Sequence, residues 1–186
     1  MSLFSDVYYE VERDAEFVLR ERGSKFFAFV YGVKSDQDIK EKLEGLKRQY
    51  PDATHHCYAW VMGARGEAQR ANDDGEPSNS AGRPILRSII SVGVTNVVVV
   101  VVRYFGGTLL GIPGLIESYG EAAESALRAA GRLEKFIEET YEISSAFEHE
   151  QEIHRLIAKY GARVLGSEYT EQVCYRVAVK AGVGRD

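Results

Sequence analysis

The chain has 186 residues, a net charge of −5 and an apolar fraction of 45%, and its length fits one large domain or two small ones. The negative charge argues against nucleic-acid binding driven by bulk charge, although a local basic patch stays possible. No apolar run approaches the roughly 20 residues that span a bilayer, the start shows no secretory signal pattern, and two distant cysteines favour a reducing, cytoplasmic setting.

The first third of the chain predicts strands and one well-marked helix. Residues 7–22 read as extended, and residues 25–33 form a strand rich in aromatic and β-branched side chains. A helix follows, capped by Ser35 or Asp36 and ended by Pro51. Its apolar residues recur at helical spacing, which predicts one buried face.

The pattern from residue 55 onward alternates strands and helices. It predicts, in turn, a strand at 55–63, a long polar loop at 64–82, a helix from Pro84 to Gly93, a strand at 96–105 and a helix from Pro113 to Gly131. The strand at 96–105 is apolar on both faces, so we expect it to be covered on both sides of its sheet.

The pattern changes near residue 133. A strand, a helix closed by Gly161 and two further strands then follow, which gives a β-α-β-β order. The sequence therefore predicts an α+β protein with two domains, at 1–132 and 133–186.

The polar stretch "NDDGEPSNSAGRPIL" places Asp73, Asp74 and Glu76 within four residues. Carboxylates in such a cluster suit Mg²⁺, but the stretch lacks the ligand spacing of a calcium loop. The favoured interpretation is that these acids form turns, cap the next helix and pair with Arg83 or Arg87.

The stretch "HHCYAW" places His55 and Cys57 on one face of a strand. A zinc site needs about four ligands, and only two are local. Cys57 as a nucleophile with His55 as its base is conceivable. A buried cysteine beside a hydrogen-bonded histidine is the favoured interpretation.

The stretch "RYFGGTLLGIPG" leaves a buried strand with Arg103, Tyr104, Gly106 and Gly107. It matches neither a Walker loop nor a dinucleotide-binding glycine pattern. A glycine loop that leads into a helix suits an anion, and Arg103 and Arg83 could add contacts to it. A tight turn that allows close packing explains the glycines at least as well.

Three stretches together resemble the IMPACT family, including its bacterial YigZ-like members. They are "ATHHCYAWV" (53–61), "DDGEPSNSAGRPIL" (73–86) and "VVRYFGGTLLGIPGLIESYG" (101–120). The resemblance covers most of residues 15–131 and implies a domain like domain 2 of ribosomal protein S5. The tail after 133 resembles the small ferredoxin-like domain of bacterial members, which is similar to a domain of elongation factor G. It lacks the last helix and strand of that fold.

The resemblance implies a non-enzymatic binding or regulatory protein linked to translation. Eukaryotic relatives act by contacting proteins that control the stress kinase acting on initiation. It implies no cofactor and no metal, and its partners are protein, ribosome or RNA components. This sequence departs from the family pattern at Asn79-Ser80, Thr108–Leu109, Pro113 and Glu117, so two cations beside the glycine loop are missing.

The residues that we expect to form a binding site come from all three stretches. They are His55, Asp73, Asp74, Glu76, Arg83, Arg103, Tyr104, Gly106 and Gly107. The alternative hypothesis is a small-ligand or phosphate-binding enzyme that uses the charged members of this set, with or without Mg²⁺. Arg103 is expected to face the loop around Asp73–Glu76, and to matter for binding and little for folding. The alternative is that Arg103 is buried against Asp74 as a structural ion pair.

The shortened tail predicts a partner of its own. One helix can cover only part of the apolar sheet face that two helices cover in a complete domain, and an edge strand is missing. We expect a homodimer through residues 135–182. The alternative is that the first domain covers this face in a monomer.

Overall fold

The computed structural model describes residues 6–182. Within this range the chain forms two compact units, Tyr8–Glu134 and residues 135–182 with residues 6–7. Both contain helices and strands, so the fold is α+β as the sequence predicts. Among residues 6–182, no helix is both long and apolar enough to cross a membrane.

Ten strands and four α-helices make up the described chain, with a short 3₁₀ turn before the last helix. In chain order they are β1 (Val7–Val11), β2 (Ala15–Glu21), β3 (Ser24–Gly32), α1 (Asp36–Gln49), β4 (His55–Met62), β5 (Ala68–Asn72), α2 (Gly82–Val92), β6 (Val97–Tyr104), α3 (Gly111–Ala130), β7 (Arg132–Phe136), β8 (Glu138–Ser145), α4 (Glu150–Tyr160), β9 (Arg163–Tyr169) and β10 (Val173–Lys180).

A five-stranded antiparallel sheet forms the centre of the larger unit, in the order β2-β3-β6-β4-β5. β6 is the middle strand of this sheet, and all six residues of its valine run are fully buried. Val97, Val99 and Val101 belong to the core beneath α2 and α3. The alternate valines belong to the core beneath α1. The prediction of a strand covered on both faces is confirmed.

The residues predicted to cap or end helices α1, α2 and α4 do so in the structure. The Ser35 side chain caps α1 by accepting the backbone N–H of Asp38 at 3.1 Å. Gly93 ends α2 in the left-handed region, where glycine is favoured, and its N–H bonds to carbonyls of the last turn. Gly161 ends α4 in the same conformation.

Two strands and two helix starts differ from the sequence prediction. The polar loop at 64–82 contains β5, an edge strand that pairs with β4 and is largely exposed. β7 pairs with β1 and is also mostly exposed. Neither strand carries the apolar alternation that reveals a half-buried strand. Helices α2 and α3 begin at Gly82 and Gly111, each two residues before the predicted start.

The smaller unit has the predicted β-α-β-β order, consistent with a partial ferredoxin-like fold. Its antiparallel sheet runs β8-β10-β9, and Ile153 of α4 packs on Val173, Tyr175 and Val177. A gap of about 150 Å³ beside α4 is lined by apolar side chains, including Leu156. The helix therefore covers this face only partly. Side chains alternate between the two faces of a strand, so the opposite face of this sheet carries polar residues such as Glu142, Arg176 and Lys180. That face therefore needs no apolar cover.

Candidate functional site

The register of the central sheet brings the first and third sequence motifs together. His55 at the start of β4 lies directly opposite Arg103 near the end of β6. Cys57 lies opposite Val101 and is fully buried. The loop between β5 and α2 crosses the same end of the sheet, because it bonds to both His55 and Cys57.

Asp73 holds that loop closed. Its carboxylate accepts the backbone N–H groups of Asn79 at 2.8 Å, Ala81 at 3.0 Å and Gly82 at 2.8 Å. The N-cap of α2 is Ala81, which has no side-chain acceptor, so Asp73 supplies the cap from a distance in sequence. The sequence prediction that these acids form turns and cap the helix describes Asp73 correctly.

Asp74 joins the loop to β4. Its carboxylate accepts the backbone N–H of His56 at 2.6 Å, and its own N–H donates to Asn72 at 2.8 Å. His55 Nδ1 lies 2.8 Å from the Asp74 carbonyl oxygen. A carbonyl only accepts hydrogen bonds, so Nδ1 carries the proton. His55 Nε2 then lies 3.8 Å from Glu76 Oε1.

A buried polar network crosses the core behind His55. Arg103 Nη1 donates to Glu76 Oε1 at 2.6 Å, and the Tyr119 hydroxyl donates to the same oxygen at 2.7 Å. The side chains of Arg103 and Glu76 are 6% and 3% exposed. Cys57 Sγ lies 3.3 Å from the Tyr119 hydroxyl, and Arg103 Nη2 lies 3.4 Å from Ser24 Oγ. Arg103 therefore forms a buried ion pair with Glu76, and not with Asp74 as the alternative from the sequence supposed. Its importance for folding stays a prediction.

Aromatic rings enclose the Arg103 guanidinium. Its central carbon lies 5.3 Å from the Phe26 ring centre and 5.7 Å from the Phe105 ring centre, within cation–π range. Phe26 is fully buried, whereas Phe105 is about half exposed. The arginine thus links the core to the surface loop that follows β6.

Burial controls the ionisation of this network. Burial raises the pKa of the Cys57 thiol well above its ordinary value. Burial, with Cys57 and Glu76 as further causes, also raises the pKa of Tyr119. Cys57 is also fully buried, and its thiol donates to the Asp73 carbonyl oxygen and lies beside the Tyr119 hydroxyl. Burial and these contacts disfavour the hypothesis of a Cys57 nucleophile.

The two glycines after β6 have separate structural reasons. A Cβ on Gly106 would lie 1.9 Å from the Gly23 carbonyl carbon, so only glycine allows this close approach. Gly107 has a φ of 85°, in the region that favours glycine. Close packing thus accounts for Gly106, and turn geometry for Gly107.

Tyr104 turns away from the buried network, and its hydroxyl donates to the Asp52 carboxylate at 2.8 Å.

A cavity of about 390 Å³ opens beside the buried network at the start of α3. Its polar members are Thr54, His55, Glu76 and Arg103, and its apolar and glycine members are Pro77, Phe105, Leu109, Leu110, Gly111, Ile112 and Leu115. Leu109 is 83% exposed and Ile112 is 54% exposed. The cavity therefore combines a small polar floor with an apolar, solvent-facing rim.

The structure brings together only part of the predicted site. His55, Glu76 and Arg103 line the cavity, whereas Arg83 lies exposed at the start of α2 and is not among the lining residues. In the described part of the chain, no three His, Cys, Asp or Glu side chains are placed to hold a metal ion. The carboxylates of Asp73 and Asp74 are instead bonded to backbone N–H groups.

The apolar rim and two network residues, Tyr119 and Ser24, were not predicted from the sequence. Tyr119 lies within the predicted helix from Pro113 to Gly131 and was not expected at the site. A buried tyrosine hydroxyl needs a hydrogen-bond partner, and this was the available signal. No such signal marked Ser24, Leu109 or Ile112. Their positions at the site depend on how the loop after β6 packs against the rest of the unit.

Comparison with known sequences identifies clear relatives. The family model described as the Impact N-terminal domain matches residues 22–127. The IMPACT family member YigZ of Escherichia coli K12 is 34% identical over 85% of this chain and 78% of its own length. The IMPACT family member YvyE of Bacillus subtilis 168 is 37% identical over 69% of this chain and 59% of its own length.

Solved structures include a matching fold. The crystal structure of a hypothetical protein is 30% identical and superposes with a TM-score of 0.74, covering 96% of this chain and 87% of that one. The structure of the two-domain translational regulator Yih1 is 29% identical, covers 70% of this chain and 49% of that one, and has a TM-score of 0.40. The arrangement of elements described above is therefore shared with the first of these proteins.

Proposed function

The chain belongs to the IMPACT family, and from this premise we propose that it is a non-enzymatic binding and regulatory protein linked to translation. It acts in the cytoplasm by contact with a protein partner, a ribosomal component or RNA. The family resemblance supports this role, because it implies proteins that work by contacting partners.

The exposed surface around the cavity is the observation that carries the proposal. Leu109, Ile112 and Phe105 expose large apolar side chains close together in one loop and helix start. Soluble proteins seldom expose such clusters without a binding role. Since few charges line the cavity, the surface suits a protein partner better than a nucleic-acid backbone.

The enzyme hypothesis has weaker support from the same residues. Arg103 Nη1 and the Tyr119 hydroxyl both donate to Glu76 Oε1 in the core, so these atoms are already engaged in the structure. The raised pKa values of Cys57 and Tyr119 also disfavour nucleophilic or acid–base roles near neutral pH. We interpret the network as a support that fixes the loop and the cavity rim.

Sedimentation of cell extracts at low salt tests the proposal. We expect the protein to co-migrate with ribosomal particles or translation factors, and to be recovered with them by pull-down. The matched variants are Leu109→Asp, which alters the rim, and Ile90→Asp, which alters a 57% exposed isoleucine on α2 outside the cavity. Association that is absent from the wild type, or equal in both variants, contradicts the proposal.

A further inference from the structure

We propose that residues 1–5 add a fourth strand to the smaller sheet, along the β8 edge, and cover the apolar gap beside α4 from that side. These residues precede the described range, which begins at Asp6. Three features of the described residues point to them as the occupant: the register of β1 on β7, the place of β8 in its sheet, and the apolar gap. The inference does not depend on the proposed function.

The pairing of β1 with β7 leads toward β8. At one end of this antiparallel pair, the Glu12 N–H donates to the Gly131 carbonyl oxygen. At the other end, the Ile137 N–H donates to the Asp6 carbonyl oxygen at 2.8 Å, with the same offset between partners. Ile137 is the one residue between β7 and β8. A chain that continues β1 beyond Asp6 in this register therefore runs along β8.

Strand β8 is the edge of the sheet that suits such a strand. Among residues 6–182 the sheet order is β8-β10-β9, so β10 lies on one side of β8. The other edge strand, β9, has a register shift opposite Arg176 and Val177, and irregularities of this kind hinder pairing with a further strand. A strand that continues β1 therefore lies on the side of β8 that faces away from β10.

The apolar gap opens beside the same edge. Its volume is about 150 Å³, and Tyr141 of β8 and Val179 of β10 are among its lining residues. Val179 lies opposite Glu139, and Val177 lies opposite Tyr141, on the sheet face that packs against α4. Residues directly opposite each other on neighbouring strands share a face of the sheet. Every second residue of an added strand would therefore face α4.

The register selects Phe4 as the residue that covers the gap. Continued beyond Asp6, the register places Phe4 opposite Glu139 and Leu3 opposite Thr140. Phe4 then points to the face that carries α4 and the gap, and Leu3 points to the other face. Burial of a phenylalanine side chain against the gap removes apolar surface from water, which stabilises the added strand.

Charge favours residues 1–5 over the β8 strand of a second copy. β8 contains Glu138, Glu139 and Glu142, and like charges on neighbouring strands are unfavourable. Residues 1–5 contain no charged side chain. The homodimer expected through residues 135–182 is a separate prediction, since it is tested at Leu156 of α4.

Disulfide cross-linking of the full chain tests the position of the strand. In a Cys174→Ser background, Leu3→Cys is combined with Thr140→Cys on β8 or, as the matched control, with Ser167→Cys on β9. Opposing residues of an antiparallel pair have Cα atoms roughly 4.5–5.5 Å apart, which suits a disulfide. We expect mild oxidation to cross-link the Thr140→Cys protein within one chain, and the control about tenfold more slowly or not at all. Cross-links between chains, or equal rates in the two proteins, overturn the inference.

Amide hydrogen exchange tests the cover that Phe4 supplies. Deletion of residues 2–5 should speed exchange of the β8 amides by about tenfold or more and leave the β9 amides unchanged. Phe4→Ser should speed exchange in β8 more than Leu3→Ser, because only Phe4 faces the gap. Equal exchange of the β8 amides in the full chain and the deletion variant contradicts the added strand, and equal effects of the two substitutions contradict its register.

Discussion

Arg103 contacts both the buried core and the surface loop that follows β6. Its ion pair with Glu76 is buried, so Arg103→Ala leaves a carboxylate without its cation. We expect this substitution to lower the free energy of unfolding by roughly 3–5 kcal/mol. Denaturant unfolding monitored by circular dichroism measures the change.

Arg128→Ala is the matched control for that prediction. Arg128 forms an ion pair with Glu124 on the exposed face of α3, where its side chain is 74% exposed. Pairs of this kind contribute about 0–1 kcal/mol. Equal destabilisation by the two substitutions would show that the Arg103 pair has no special structural role.

Cys57 gives a prediction about pH. Because burial raises the pKa of its thiol, Cys57 stays protonated in the folded protein while the unfolded thiol ionises above about pH 8.5. Its contribution to stability is present below that pH and is lost as the pH rises. In a Cys174→Ser variant, iodoacetamide at pH 8.5 should label Cys57 slowly in the folded state and rapidly in urea. Rapid labelling of the folded protein would contradict the assignment of a buried, neutral thiol.

At the residue scale, the sequence predicted which motifs meet but not how they bond. His55 and Arg103 were both expected at the site, and they lie opposite each other across β4 and β6. Tyr119, which bonds to Glu76 across 43 positions in sequence, was not expected. Such a contact depends on how α3 packs on the sheet, and local residue patterns contain no information about that packing.

At the element scale, β6 gives the most direct test of the core. Val99→Asp and Val100→Asp would each bury an unpaired charge on one of the two covered faces, at a cost of several kcal/mol. We expect both variants to be insoluble or unfolded. Leu109→Asp places the same charge at an exposed position and should fold normally. Cooperative melting of soluble Val99→Asp and Val100→Asp would contradict this account of the sheet.

The elements predicted best are those with strong local signals. The cap at Ser35 marks the start of α1, and the valine run marks β6. Strands β5 and β7 were missed because they are short and largely exposed, so pairing rather than side-chain burial defines them. The early start of α3 at Gly111 was missed because Pro113, which fits the first turn of a helix, was taken as the beginning.

At the scale of the whole molecule, the homodimer stays a prediction. The apolar gap beside α4, lined by Leu156, Ile157 and Val179, gives a surface that a second copy could cover. We expect sedimentation equilibrium to show a dimer at about 100 µM, well above a micromolar dissociation constant. Leu156→Glu should weaken it, and Ile90→Glu on α2 should not. A strict monomer, or a dimer unaffected by Leu156→Glu, contradicts the prediction.

The central claim is that the apolar rim around the cavity binds a partner involved in translation. The most direct measurement is quantitative pull-down from one extract with wild type, Leu109→Asp and Ile90→Asp, after each variant is shown to melt like wild type. The account predicts that translation components bind wild type and Ile90→Asp equally and are largely lost with Leu109→Asp. Equal recovery of these components by all three proteins, or their absence from the wild-type sample, would contradict it.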